Sequence, residues 1–256
     1  MSIDNLFDLA GKVAIVTGGN GGLGLGIAAG LAAAKADVVV AARDEEKNAD
    51  AVEQLSALGV RSLALKVDVS QEADIVSMVT DTVAAMGRVD ILVNNAGISV
   101  RKQPQEISID EWDRVQNVNL RAGFLASKEV YPHMKKQGGG KIINIGSMFS
   151  LFGSDWVSGY SASKGGLVQL TKSLAVAWAS DNIQVNAVLP GWFMTRLTSS
   201  IPQRDPERYE LISRRIPAGK WGEPEDVQGP VVFLAGPGSD YVTGAVLTVD
   251  GGFAVK

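Results

Sequence analysis

Seven short apolar runs, each parted from the next by a stretch of helical composition, constrain this chain more than any other feature of its 256 residues. The runs are Lys12 to Thr17 (KVAIVT), Asp37 to Ala42 (DVVVAA), Ser62 to Val67, Ile91 to Asn94, Lys141 to Ile145 (KIINI), Ile183 to Leu189 (IQVNAVL) and Ala245 to Val249. Between them the pattern predicts helices over Gly22 to Lys35, Glu45 to Leu58, Gln71 to Met86 and Ser158 to Ser180. Ser108 and Glu111 have capping-box spacing and open a long helix that reaches about Lys136. Pro224 stands in the first turn of a last helix, which runs to Ala235. Near-continuous apolar strands alternating with helices mean a parallel sheet covered on both faces. The expected architecture is therefore α/β: a single doubly wound parallel seven-stranded sheet, in one domain spanning residues 1–256. No linker, repeat or low-complexity segment divides the chain, and the least regular stretch is Trp192 to Glu223.

Composition removes several classes of function. There is no cysteine, which excludes disulfide frameworks, Cys-ligated zinc, iron–sulfur clusters and thiol nucleophiles. The one histidine, His133, has no partner in any motif and reads as a helix-surface residue. Net charge is −4, and Lys135, Lys136 and Lys141 are the nearest approach to a basic cluster. Nucleic acid and anionic membranes are thus poor partners. No apolar stretch approaches the length of a membrane span. Met1 to Ala10 carries two aspartates and no basic residue, so it does not read as a secretory signal. The expectation is a cytoplasmic protein that acts on a small molecule, without metal.

Doubly wound sheets bind ligands outside the carboxyl ends of their strands. The first run ends in TGGNGGLG, Thr17 to Gly24, and a helix follows at once. Glycines there permit a tight turn and let helix amides approach a pyrophosphate. No Lys-Ser/Thr pair follows, so this is not the loop of a nucleotide hydrolase. The fourth run ends in Asn94-Asn95-Ala96-Gly97. Ser147 follows the fifth, and thirteen residues later come Tyr160 and Lys164, four apart at the start of a helix and hence on one face. A phenol beside an ammonium is an acid–base device, because a neighbouring cation favours the phenolate.

Together these motifs resemble those of the short-chain dehydrogenase/reductase family, over nearly the whole chain from Leu9 to Val249-Asp250-Gly251-Gly252. They are T-G-x-x-x-G-x-G at Thr17 to Gly24, N-N-A-G at Asn94 to Gly97, Asn119 in Asn117-Val118-Asn119-Leu120, Ser147, Y-x-x-x-K at Tyr160 to Lys164, and Pro190-Gly191 followed by Thr195. The resemblance implies a Rossmann fold and a homotetramer built on the long helices after strands four and five. It implies Tyr160 as general acid for ketone reduction and base for alcohol oxidation, and Lys164 as the group that lowers its pKa and bonds the nicotinamide ribose. Ser147 would hold the substrate oxygen, and Asn119 a water that passes protons to Lys164. Asn119 also reads as a helix-interior asparagine bonding its own backbone. Gly18, Asn20, Gly22, Leu23, Gly24, Asn95, Ala96, Gly97, Pro190 and Gly191 would shape the dinucleotide trough, with Thr195 on the carboxamide. Asp68 and Val69 would meet the adenine, although Asp68 equally suits a helix N-terminus.

Cofactor choice turns on the end of strand two, where the position of the usual acid is Ala42 and the next is Arg43. An arginine accommodates the 2′-phosphate, so NADP is favoured. The glycine loop lacks a second basic residue, and Asp44, Glu45 and Glu46 would sit near the phosphate, so NAD use stays open. The segments KIINIGSMF (141–149) and RIPAGKWGEP (215–224) are similar to those of sugar-acid dehydrogenases in the family, the gluconate 5-dehydrogenase and 2-deoxygluconate 3-dehydrogenase types. Arg101 and Lys102 either hold a carboxylate or are solvated loop charges. Trp192 and Trp221 either cover a sugar ring or pack a substrate loop at about 192–223. Other readings are a hydrophobic ketone, steroid or 3-oxoacyl substrate, a dinucleotide sensor without turnover, and a methyltransferase. The intact Tyr160 and Lys164 speak against the sensor and find no use in the methyltransferase.

Overall fold

A computed structural model describes residues 3–195 and 198–256. Its seven strands form one sheet in the order β3-β2-β1-β4-β5-β6-β7, every neighbouring pair parallel. The strands are β1 (Val13–Thr17), β2 (Asp37–Ala42), β3 (Ser62–Lys66), β4 (Ile91–Asn94), β5 (Gly140–Ile145), β6 (Ile183–Pro190) and β7 (Val246–Val249). The sequence predicted each to within a residue. The reason is visible in the burial: all five residues of β1 and all eight of β6 are buried, so neither face needed polar side chains.

Successive strand residues point to opposite faces, and β1 sorts them into two cores. Ala14 and Val16 pack with Ile27 and Leu31 of α1 (Gly22–Ala33), Leu55 of α2 (Glu45–Ser56) and Leu234 in a later helix. Val13 and Ile15 pack on the other side with Ile75 and Met78 of α3 (Glu72–Met86). The same core takes in Val130, from the long helical segment after β4, and Leu174, from the helix after β5.

That long segment is not one uniform helix. Ser108 accepts the Glu111 amide and Glu111 reaches back to the Ser108 amide, so the capping box forms and opens α4 (Ile109–Gln116). A π-helical turn over Asn117–Arg121 then separates it from α5 (Ala122–Lys136). Asn119 lies in that turn. After β5 comes α6 (Ser158–Trp178), and after β6 the stretch expected to be irregular contains α7 (Ile201–Arg204) and α8 (Pro206–Arg215). The start of α8 is chemically ordinary: Asp205 accepts the Arg208 amide at 3.1 Å and Pro206 fills the first turn. A third core of Met148, Val168, Leu189, Ile212, Ile216 and Trp221 fixes α8 over the carboxyl edge of the sheet. Arg196 and Leu197, inside the expected substrate loop, lie outside the described residues. The last helix, α9 (Gln228–Ala235), follows a single 3-10 turn at Pro224–Val227. Strand order reverses between β1 and β4, so the crevice for a ligand opens above their ends.

Candidate active site

The loop after β1 is shaped for close approach. Gly18 and Gly22 have φ of +64° and +53°, in the left-handed region that glycine adopts without strain. A Cβ on Gly24 would stand 2.1 Å from the Gly18 carbonyl oxygen and 2.5 Å from Asn95 Nδ2, so any side chain there would push the helix off the loop. The N-cap of α1 is Gly21, with no capping side chain and no acidic residue in the first turn. Its amides therefore face the crevice with their positive dipole unanswered, which suits an anion such as a pyrophosphate.

Thr17 ties this loop to the one after β4. Its hydroxyl accepts the amides of Asn95 (3.0 Å) and Ala96 (3.1 Å) and donates to the Val93 carbonyl (3.2 Å). Asn95 answers by donating to the carbonyls of Thr17 (2.9 Å) and Gly18 (3.2 Å). Val69 and Ala96 line a small cavity with Thr17, Asn94 and Asn119. Thr195, beyond Pro190 and Gly191 at the end of β6, stands opposite Gly22, its Cβ 3.7 Å from where a Gly22 side chain would begin. Leu23 packs against the first core. Asn20 turns away toward α2, donating to Asn48 Oδ1 at 2.7 Å, and so braces the loop.

At the end of β2, Arg43 is exposed while Asp44 is committed elsewhere. The Asp44 carboxylate caps α2 through the Lys47 amide (3.2 Å) and pairs with the Lys47 ammonium, and Glu45 pairs with Lys66 at 2.9 Å. Lysines thus pair with Asp44 and Glu45 beside the exposed Arg43. Arg43 also lies within the field of Asp68. Burial pushes the Asp68 carboxyl up, but the Ser70 amide and hydroxyl, together with the Arg43 charge, outweigh it and hold the group below its usual range. Asp68 Oδ1 takes both Ser70 bonds, at 3.0 and 2.8 Å, which makes it the acid that shapes the turn into α3.

The four residues singled out for proton chemistry converge at the β4–β5 end of this crevice. Lys164 is buried, and its ammonium donates to the Ile145 carbonyl at 2.6 Å. A Cβ on Gly97 would lie 3.5 Å from Lys164 Nζ and 3.4 Å from Asn119 Oδ1, which places all three together. Asn119 does not bond its own backbone. Its amide accepts the Ile98 N–H (2.8 Å), donates to the Ile98 carbonyl (2.9 Å) and donates to Ser163 Oγ (3.0 Å). Ser163 in turn donates to the Tyr160 carbonyl at 2.7 Å, so Asn119 positions the start of α6. Ser150 serves Ser147 in the same way, accepting the Ser147 amide at 3.2 Å and donating to the Lys164 carbonyl at 2.9 Å. The sequence flagged neither Ser163 nor Ser150; their only signal was a hydroxyl three residues beyond Tyr160 and Ser147.

The phenol of Tyr160 is held above its ordinary pKa, by burial first, with the Ser147 hydroxyl easing it down. Lys164 Nζ lies over the Tyr160 ring, 5.8 Å from its centre, while donating to the Ile145 carbonyl. Burial brings the Lys164 ammonium itself down to about 8.

Aromatic rings extend this cluster outward. Phe149 meets Tyr160 edge-on at 6.3 Å and Trp192 at 6.4 Å. Trp192 is half-buried at the crevice, whereas Trp221 is buried beneath α8 and donates to Ser213 Oγ at 2.9 Å. Of the two tryptophans only Trp192 is open to a ligand. Arg101 is exposed, its guanidinium 5.6 Å from the Trp156 ring. His133 lines a separate groove with Arg88, Lys136 and Gln137, far along the chain from these groups. Among the described residues no helix is long and apolar enough to cross a membrane, and no group of His, Cys, Asp or Glu could hold a metal ion.

Residues 18–254 match the family model described as Enoyl-(Acyl carrier protein) reductase. The chain is 46% identical over 253 residues to the 2-dehydro-3-deoxy-D-gluconate 5-dehydrogenase of Dickeya dadantii, covering 98% of this chain and 99% of that protein. It is 38% identical to the gluconate 5-dehydrogenase of Gluconobacter oxydans over 256 residues, the full length of both. Among solved structures, a gluconate 5-dehydrogenase from Burkholderia cenocepacia in complex with NADP and tartrate superposes with a TM-score of 0.94 at 36% identity, covering 100% of both chains.

Proposed function

This chain belongs to the short-chain dehydrogenase/reductase family, and from that premise we propose that it interconverts a secondary alcohol and a ketone on a sugar acid, with NADP as the favoured cofactor. The observation that carries the reading is the convergence of Ser147, Tyr160 and Lys164 at the end of a crevice whose other end is an uncapped helix N-terminus. The relatives named as gluconate and dehydro-deoxygluconate dehydrogenases support the substrate class. The exposed Arg43, with Asp44 and Glu45 tied up by lysines, supports the 2′-phosphate.

The residues present fit a dinucleotide. The α1 amides and Gly18 to Gly24 would hold the pyrophosphate, Arg43 the 2′-phosphate, Asp68 and Val69 the adenine side, and Thr195 with Lys164 the nicotinamide end. When bound, the nicotinamide gives or takes the hydride at the carbinol carbon. The chain's own residues handle the proton. Burial keeps the Tyr160 phenol protonated at neutral pH, so in reduction it is a ready donor to the carbonyl oxygen. Ser147 is placed to bind the same oxygen and stabilise charge as it develops. In alcohol oxidation the phenolate is required, and a neighbouring ammonium then favours it. Because the Asn119 amide is spent on Ile98 and Ser163, a proton-relaying water would be held by a main-chain carbonyl of the π turn.

Ile109, Trp112, Phe124 and Val176 are exposed on α4, α5 and α6, which supports a homotetramer built on those helices. Reliance on a nicotinamide pool kept inside cells makes the cytoplasm its compartment. The test is a screen of NADP⁺ and NAD⁺ against gluconate, its neutral polyol, hydroxysteroids and simple secondary alcohols, followed at the nicotinamide absorbance. The aldonate with NADP⁺ should be the best pair. A neutral or hydrophobic alcohol turned over as well as the aldonate would overturn the substrate class.

A further inference from the structure

Three segments far apart in the chain meet on one arginine. The guanidinium of Arg215, at the end of α8, lies 4.2 Å from the centre of the Phe253 ring and 5.2 Å from that of Phe152. The two rings meet each other edge-on at 6.3 Å. Phe152 closes the turn that begins at Ser147, its amide donating to the Met148 carbonyl at 3.0 Å. Phe253 stands in the last turn of the chain, where Asp250 accepts the amides of Gly252 (2.9 Å) and Ala254 (2.7 Å) and Lys256 donates to the Arg214 carbonyl (2.7 Å). Arg214 pairs with Glu210, but among the described residues no acid pairs with Arg215. The two aromatic rings are what answers its charge. The segments so joined carry the substrate side of the crevice. Ser147 and Phe149 belong to the turn, and Phe149 meets both Tyr160 and Trp192. From α8, the Tyr209 ring lies 5.0 Å from Trp221, which in turn lies 5.3 Å from Trp192. Met148, Ile212, Ile216 and Phe253 share one core, and Arg215 lies exposed at its edge.

We propose that Arg215 is a positioning residue for substrate binding: held between Phe152 and Phe253, it fixes α8 and the C-terminal turn against the Ser147 turn and so sets the spacing between Phe149 and Trp192. The inference rests on the reading of this crevice as the substrate site and deepens it. No step of the proton chemistry runs through Arg215. Where the two walls are out of register the substrate loses one of them, so apparent affinity falls with the fraction of molecules in register. A saturating substrate restores the register by its own binding, which leaves turnover near that of the wild type. The signature is a raised KM with kcat held, and a dinucleotide bound along the β1 loop is indifferent to it.

The test is reduction of 5-keto-D-gluconate with NADPH by the full-length wild type, Arg215→Met, Arg215→Lys, Phe152→Leu and the Arg215→Met/Phe152→Leu double variant, with NADPH affinity and urea unfolding measured beside it. Arg215→Met keeps the apolar stem and removes the charge, and two exposed cation–π contacts correspond to roughly five- to thirtyfold in an equilibrium. Arg215→Met should raise KM by that factor, with kcat and NADPH affinity within about twofold of the wild type. Arg215→Lys should fall between the two, because an ammonium is drawn to the rings without stacking on them. The double variant should be no worse than the poorer single one, since both remove the same contact. An Arg215→Met protein that unfolds more easily yet keeps the wild-type KM would make the contact a stabilising one only and overturn the proposal. Losses that multiply in the double variant would overturn it too. A wild type that prefers a neutral ketone would sink the sugar-acid reading alone, and the same KM ratios on that ketone would then judge Arg215.

Discussion

Lys164→Met should change how the stability of this protein depends on pH, and the size of the change follows from its burial. The folded-state ammonium titrates at about 8, against 10.5 for a free lysine, a difference of 2.5 units. Each unit is worth about 1.4 kcal/mol, so the charge costs the folded state about 3.5 kcal/mol wherever both states are protonated. Below pH 8 that cost is paid in full. As pH rises from 8 toward 10.5 the folded lysine releases its proton while the unfolded one still holds it, so the cost disappears and stability rises. The wild type should therefore gain about 2.5 kcal/mol on Lys164→Met between pH 7 and pH 10, whatever the variant loses by leaving the Ile145 carbonyl without its 2.6 Å donor. Urea unfolding followed by tryptophan fluorescence, at matched protein concentration and at pH 7, 8, 9 and 10, measures it. Parallel curves for the two proteins would refute the reasoning, since they would show that burial does not penalise this charge.

Three further outcomes are expected. Arg43→Ala should raise the KM for NADP⁺ by roughly tenfold to a hundredfold and leave NAD⁺ little changed, because only the 2′-phosphate offers a charge to its guanidinium; a wild type that prefers NAD⁺ would contradict this in steady-state kinetics. The rate of alcohol oxidation should climb as pH rises above neutrality, because burial holds the Tyr160 phenol protonated and oxidation needs the phenolate; an oxidation profile that falls over that range would count against Tyr160 as the base. Thr17→Val should cost about 1–3 kcal/mol in denaturant unfolding, since it strands the Asn95 and Ala96 amides that the hydroxyl accepts.

The strands and most helices were legible because buried parallel strands leave an unbroken apolar signature and the helices between them carry amphipathic faces and caps. The helix α8 was not, although Asp205 and Pro206 are ordinary start signals; the arginines and prolines around them read as loop. The identities of Ser147, Tyr160 and Lys164 were legible from spacing at strand ends. Their burial was not: Lys164 donates to the Ile145 carbonyl, nineteen residues earlier, and burial raises the Tyr160 phenol and lowers the Lys164 ammonium, which no local spacing announces. Ser163 and Ser150 were hidden for the same reason: Ser163 meets Asn119 across 44 positions, and Ser150 meets Lys164 across 14.

The central claim is that the Tyr160 phenol carries the proton in a nicotinamide-dependent reaction, and Tyr160→Phe tests it most directly. The substitution keeps the ring, and with it the edge contact to Phe149, while removing the hydroxyl. Reduction of 5-keto-D-gluconate with NADPH should be measured beside NADPH binding by fluorescence. The variant should bind NADPH with unchanged affinity and lose turnover on the order of 10²–10⁴-fold, the range expected when a general acid is deleted. Turnover within a few fold of the wild type, with NADPH still bound, would contradict the assignment of Tyr160 as the proton donor.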